Sequence, residues 1–190
     1  APMSTIAGQL AFIVGSYHLL KHNKGKGVMI GKMDDIDPRV VTVIGAGVSG
    51  TQSILKAIDN NAIVKVVDSS QSKLDELQSK YGSNNIEYVL STQESIQSSI
   101  NDSDLVIGSV YVVGKEAPKV VKREMLSSMN PGTVMVDVSI DQGGCFETSK
   151  PTTHDNPTFL ENDIVHYCVT NMPGAVPLTA TEALNKVTLS

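Results

Sequence analysis

The sequence predicts an α/β fold, a doubly wound parallel sheet preceded by a long N-terminal helix. Three observations predict it. From Arg39 onward, short apolar runs rich in β-branched residues alternate with helical segments; the glycine hexad Gly45-Ala46-Gly47-Val48-Ser49-Gly50 joins the first run to the first helix; and the second run leads into the acid Asp68.

The leading helix is read over Met3 to Leu20. There Met3, Ile6, Ala7, Leu10, Ala11, Ile13, Val14, Tyr17 and Leu20 recur at the three-four spacing of one broad apolar face, with Ser4 where an N-cap would sit. The basic stretch His22 to Gly27 breaks the helix, Val28 to Ile30 reads as a short strand, and Lys32 to Arg39, with Pro38, as a second loop. Six further apolar runs read as strands covered on both faces: Val40 to Ile44, Ala62 to Val67, Ile86 to Leu90, Leu105 to Ile107, Thr133 to Val138 and Ile164 to Tyr167. Helices are expected over Val48 to Asp59, Ser70 to Tyr81, Thr92 to Ile100 and Lys122 to Ser128. Gly114 to Pro118, Asp141 to Pro157 and Met172 to Pro177 are long loops punctuated by glycine and proline, and they follow strand ends, where open α/β sheets bind ligands.

With 190 residues, 41% of them hydrophobic, the chain suits one well-filled core, and it reads as a single domain with a leading segment 1–38 and a sheet-bearing core 39–190. It opens at Ala1 rather than Met and reads as an excised domain. A formal charge of −5 gives no general pull toward nucleic acid or an anionic membrane, so any polyanion must be held locally. No apolar run approaches the ~20 residues of a membrane span and no basic-then-apolar leader opens the chain, so the expectation is a cytoplasmic protein. Cys145 and Cys168 lie in no metal-ligand spacing and read as ordinary buried thiols, and no metal is expected.

The hexad is read in its context. It has a strand before it, a helix after it, a second strand beyond, and Asp68 18 residues past Gly50, which together make a dinucleotide-binding fingerprint of the Rossmann type. Gly45 permits the tight turn, Gly47 a close approach of backbone to pyrophosphate, and Gly50 close packing of helix on strand. The helix N-terminus offers unpaired N–H groups to phosphate. Asp68 is expected to accept from both hydroxyls of the adenosine ribose, and its charge disfavours a 2′-phosphate, so the expected cofactor is NAD rather than NADP.

Several strings spread over nearly the whole chain resemble one family. They include Ala7-Gly8, the glycine loop, Asp104-Leu105-Val106-Ile107-Gly108, Ala117-Pro118-Lys119, Asp141-Gln142-Gly143-Gly144-Cys145, Pro151-Thr152-Thr153-His154-Asp155 and Asn171-Met172-Pro173-Gly174-Ala175-Val176-Pro177. The chain resembles bacterial alanine dehydrogenase, whose wider family includes the NAD-binding subunit of proton-translocating transhydrogenase. It departs from that pattern at Lys150 and Leu178, where arginine is usual, and over Val113-Gly114-Lys115-Glu116.

The resemblance implies an NAD-binding domain for the oxidative deamination of L-alanine to pyruvate and ammonium. It places cofactor contacts at Ser4, Val48, Ser49, Asp68, Lys73 and Ser91 on the adenosine side. On the nicotinamide side they fall at Val110, at Val138, Ser139 and Ile140 on the strand end leading to Asp141, and at Asn171 and Met172. Asp141 matches the catalytic aspartate. Read without the resemblance, Asp141 beside two glycines is also ordinary turn-capping chemistry, and Ser4 an ordinary helix cap. The family's substrate-gripping groups match nothing in this chain, and its members form homo-oligomers, often hexamers, which the resemblance extends to this protein. Two other readings remain: a noncatalytic NAD(H)-binding module, and a transhydrogenase-type subunit. His18, His22, His154 and His166 form no triad or metal spacing and read as packing or surface histidines.

Overall fold

The computed structural model describes residues 2–189; Ala1 and Ser190, the first and last residues of the sequence, lie outside them. The leading helix α1 runs Pro2–His18, and the core follows as β1 Val40–Ile44, α2 Val48–Asp59, β2 Ile63–Asp68, α3 Gln71–Tyr81, β3 Ile86–Leu90, α4 Gln93–Asn101, β4 Leu105–Gly108, β5 Val134–Asp137, β6 Thr158–Glu161, β7 Ile164–Tyr167 and α5 Pro177–Thr188. These strands form one sheet in the order β3-β2-β1-β4-β5-β7-β6. All neighbours pair in parallel except β6, which runs antiparallel to β7 at the edge.

Both faces of the sheet are covered, which is why its strands read as unbroken apolar runs. The period-two alternation divides them between two cores. Val41, Val43, Leu105, Ile107, Val134 and Val136 pack on the side of α1, α2 and α3. Ile44, Val106 and Met135 face Ile96 and Ile100 of α4, together with Met125, Leu126 and Phe146. Each fully buried Leu or Ile of this kind contributes about 1.5–3 kcal/mol. The helix starts follow local chemistry: the Ser70 hydroxyl accepts from the Lys73 N–H, and Thr92 and Ser95 form a reciprocal capping box.

Helix α1 lies across α2. The Ser53 hydroxyl donates to the Gly8 carbonyl at 2.6 Å, the Ser49 hydroxyl to the Ser4 carbonyl at 2.8 Å, and the Gln9 amide to Gln52 at 3.0 Å.

Several expectations are corrected. The helix begins at Pro2, so Ser4 lies inside its first turn and is not its cap. Val28 to Ile30 is no strand: Ile30 enters the core and its carbonyl accepts only from the Arg39 N–H, with no ladder beside it. Lys122 to Ser128 narrows to a 3₁₀ turn, Arg123–Ser128. The edge strand β6 and the helix α5 go beyond the sequence expectation; β6 is four residues long and only partly buried, and α5 buries no residue fully. Among the described residues no helix is long and apolar enough to cross a membrane.

Candidate functional site

The chain leaves β1 outward to β2 and β3, then returns to β4 on the other side of β1. That reversal opens a crevice at the carboxyl ends of β1 and β4. Two cavities fill it, of about 450 Å³ and about 270 Å³, and both are walled by Ser109, Val110 and Tyr111.

The larger cavity lies over β1 and β2, between Gly45, Gly47, Asp68, Lys73 and Ser91. Its glycines differ in what demands them. Gly45 has φ +97°, and a Cβ there would collide with the Ser109 carbonyl oxygen; a Cβ on Gly50 would collide with the Gly45 carbonyl oxygen. Those two are required by the protein itself. Gly47 has an ordinary φ of −75°, and a Cβ there would have nothing within 4 Å. The empty cradle at Gly47, at the N-terminus of α2, fits an external group that passes over the backbone. The Asp68 carboxylate accepts from the Ala46 N–H and the Ser70 N–H, both at 2.8 Å, and so ties the glycine loop to the start of α3. It is half-buried, and its remaining lone pairs are available to a donor.

The smaller cavity lies between the first turns of α1, at Met3, Ser4 and Ala7, and the end of β5, with Ser49, Val138, Ser139, Asp141, Gln142, Asn171 and Pro173 in its walls. The loop after β5 is organised by Asp137, whose carboxylate is buried under five donors. Oδ1 accepts from the Ser139 N–H and the Cys145 thiol; Oδ2 accepts from the Cys145 and Phe146 N–H groups and from the Ser149 hydroxyl. Burial pushes its pKa up while these donors pull it back. From outside, the Lys119 ammonium donates to the Gly143 and Gly144 carbonyls.

Asp141 is the middle residue of the short 3₁₀ turn Ile140–Gln142 and is exposed. Among the described residues no hydrogen bond or ion pair engages its carboxylate. The turn-capping role open to it on sequence belongs to Asp137 instead.

Most of the expected residues gather at the crevice, but not all. Val48 is exposed on the first turn of α2 and walls neither cavity; Gly50 is packed under the loop; Ile140 and Met172 are buried and wall neither cavity. Residues that the sequence does not single out are Ser109 and Tyr111, which extend β4 just as Val110 does, and Gln142, Asp137 and Lys119. His166 lies elsewhere, buried, its Nδ1–H donating to the Ile164 carbonyl and its Nε2 accepting from Thr148. Burial holds it below its ordinary range, as it does His18, and burial pushes the Cys168 thiol up to about 12.

Residues 11–190 match the family described as alanine dehydrogenase/PNT, C-terminal domain. The chain belongs to that family. As an alanine dehydrogenase/PNT C-terminal domain it is 48% identical over its full length to alanine dehydrogenase of Halomonas elongata and 45% identical to that of Mycolicibacterium smegmatis, covering 51% of each. Its structure superposes on that of an L-alanine dehydrogenase with a TM-score of 0.95 at 41% identity, over 99% of this chain and 52% of that one. A transhydrogenase from Sinorhizobium meliloti shares the fold, with a TM-score of 0.82 at 24% identity. The chain thus spans about half the length of the curated relatives it matches.

Proposed function

We propose that this chain is the NAD-binding half of an L-alanine dehydrogenase, acting in the oxidative deamination of L-alanine to pyruvate and ammonium. Family membership supports the reaction class, and the observation that carries the reading is the free Asp141 carboxylate in the wall of the smaller cavity. The cradle at Gly47 would receive the pyrophosphate, Asp68 the adenosine ribose, with Lys73 and Ser91 beside it, and Val110, Val138, Ser139 and Asn171 would border the nicotinamide. Bound NAD supplies the hydride acceptor. Asp141 then orients the substrate's amine-bearing carbon and the incoming water, and takes up a proton as that water adds. Alanine, NAD⁺ and water thereby give pyruvate, ammonium, NADH and a proton. The 41–48% identity to alanine dehydrogenases favours this reading over a transhydrogenase-type subunit or a noncatalytic module.

A cytosolic homo-oligomer completes the reading. The support for association is an apolar groove of about 500 Å³ between α1 and Val28–Ile30, with Ile13, Tyr17 and Met29 exposed along it. In the full-length protein, Asp141→Asn should lower kcat by about 100-fold with little change in NADH affinity. Full activity of that variant would overturn the assignment.

A further inference from the structure

With no bond to its carboxylate among the described residues, Asp141 inherits its place from the backbone that carries it. That backbone is the 3₁₀ turn Ile140–Gln142, closed by the N–H groups of Gln142 and Gly144 on the Ser139 carbonyl and of Gly143 on the Ile140 carbonyl. So short a turn has little rigidity of its own. It runs into two glycines with positive φ, Gly143 at +92° and Gly144 at +81°, where the chain is freest to change course. The Asp137 carboxylate, which ties the ends of this loop, bonds to Ser139, Cys145, Phe146 and Ser149 and to nothing between residues 140 and 144.

A separate segment holds that span. The Ala117 N–H donates to the Gln142 carbonyl at 2.9 Å, and the Lys119 ammonium donates to the Gly143 carbonyl and, at 2.6 Å, to the Gly144 carbonyl. Three consecutive carbonyls at the exit of the turn are thus taken, two of them by one cation, whose hydrogen bonds are roughly twice as strong as neutral ones. Lys119 is itself anchored on both sides. Ala117 before it is buried, the Val120 N–H after it donates to the Cys145 carbonyl at 2.8 Å, and Val121 bridges in parallel to Phe146.

Resting on the proposed role of Asp141 in the reaction, we infer that Lys119 is a positioning residue for Asp141: its ammonium locks the Gly143 and Gly144 peptides and so holds the carboxylate where it meets substrate and water. Without that cation the two glycines are released, and the turn that carries Asp141 shifts with them. A misplacement of about 1 Å is enough to cost a large part of a rate that depends on orientation. Lys119 touches neither substrate nor cofactor, so its removal acts on turnover and leaves binding of the nucleotide in place.

The test is a double-mutant cycle on the full-length protein, with kcat for alanine expressed per NADH-binding site counted by titration, so that unfolded protein is not scored as slow enzyme. Lys119→Met, which keeps the alkyl stem and removes the charge, should lower kcat by about 10-fold with NADH affinity changed by less than about 2-fold. Lys119→Arg, which restores a cation with several donors, should return kcat to within about 3-fold of the unaltered protein. In the Asp141→Asn background Lys119→Met should lower kcat no further, because the group it positions is gone. Should Lys119→Met fail to fold, Lys119→Gln closes the same cycle with a smaller disturbance. An unchanged kcat per site, or the same fold loss with and without the Asp141 carboxylate, overturns the inference while Asp141→Asn alone still reports on Asp141. Full activity of Asp141→Asn overturns the reading of Asp141, and the role of Lys119 with it.

Discussion

Two strands of the sheet end in aspartate, β2 in Asp68 and β5 in Asp137, and each carboxylate holds the loop beside it. Asp68 accepts two backbone N–H groups and remains half-buried in a cavity wall. Asp137 accepts five donors and is closed off from solvent. The same residue type at the same place on a strand therefore does different work. A carboxylate with lone pairs to spare can serve a ligand, whereas one whose lone pairs are consumed can only serve the fold. The division extends to the acid one turn beyond: because Asp137 ties the loop, Asp141 is released from it.

The sharpest way to break this contrast is to remove each carboxylate. Asp137→Ala strands several buried donors at once and should cost about 3 kcal/mol or more in urea unfolding. Asp68→Ala should cost less, about 1–2 kcal/mol, because it frees two backbone donors where Asp137 holds five. Comparable losses for the two would erase the distinction.

A second experiment probes the loop that Asp68 ties down. Gly47→Val should weaken NADH binding by at least about 100-fold while changing stability by no more than about 1 kcal/mol, since the protein leaves that space free. Gly50→Ala should show the reverse, a clear loss of stability from the clash with the Gly45 carbonyl. Retained NADH binding after the Gly47→Val change would move the phosphates elsewhere.

The ligand-facing role proposed for Asp68 is tested by a charge exchange. Asp68→Ser with Ser69→Arg should narrow the preference for NADH over NADPH by about 10-fold or reverse it, measured by titration, because a repelling carboxylate leaves and a phosphate-pairing guanidinium arrives. Equal affinity for both nucleotides before mutation would remove the premise.

The smallest expected effect lies in acid. His166 is held neutral by burial, its affinity for protons lower folded than unfolded, so its contribution is complete above about pH 6.5 and declines below it as the unfolded chain takes up the proton. The loss should reach up to about 1 kcal/mol near pH 5.5, and His18 acts in the same direction. Asp137, shifted upward, works against this trend, since protonation relieves its burial. Thermal unfolding at the two pH values, with and without His166→Gln, reads the contribution; identical slopes would remove His166 from it.

The larger cavity of the crevice is the more legible in sequence, and the reason is the range of its interactions. Gly45, Gly47, Gly50 and Asp68 act within one strand-turn-helix-strand unit, so their spacing carries their geometry. The loop beside the smaller cavity is assembled from distant segments: Lys119 reaches Gly143 and Gly144, and Ser149 and Phe146 return to Asp137. Asp137 itself sits in an apolar run that reads only as strand. The partly buried β6 has too few residues to show a period, and α5, opening on Pro177 with no fully buried residue, presents no strong apolar stripe. Val28 to Ile30 misleads because apolar character alone cannot tell a paired strand from an extended segment that buries one side chain.

Helix α1 has one more property that follows from its seat on α2. Its two backbone carbonyls at Ser4 and Gly8 are pinned by hydroxyls of the very helix whose N-terminus forms the glycine loop. Its far half carries Ile13 and Tyr17 outward. Both ends are seated, the first turns on α2 and the far turns on the sheet, where Gly15 lies against Leu105 and His18 against Tyr167, so only one face of the far half is open. Any body that covers this open face is joined, through one helix and two hydroxyl contacts, to the helix whose first turn follows the glycine loop.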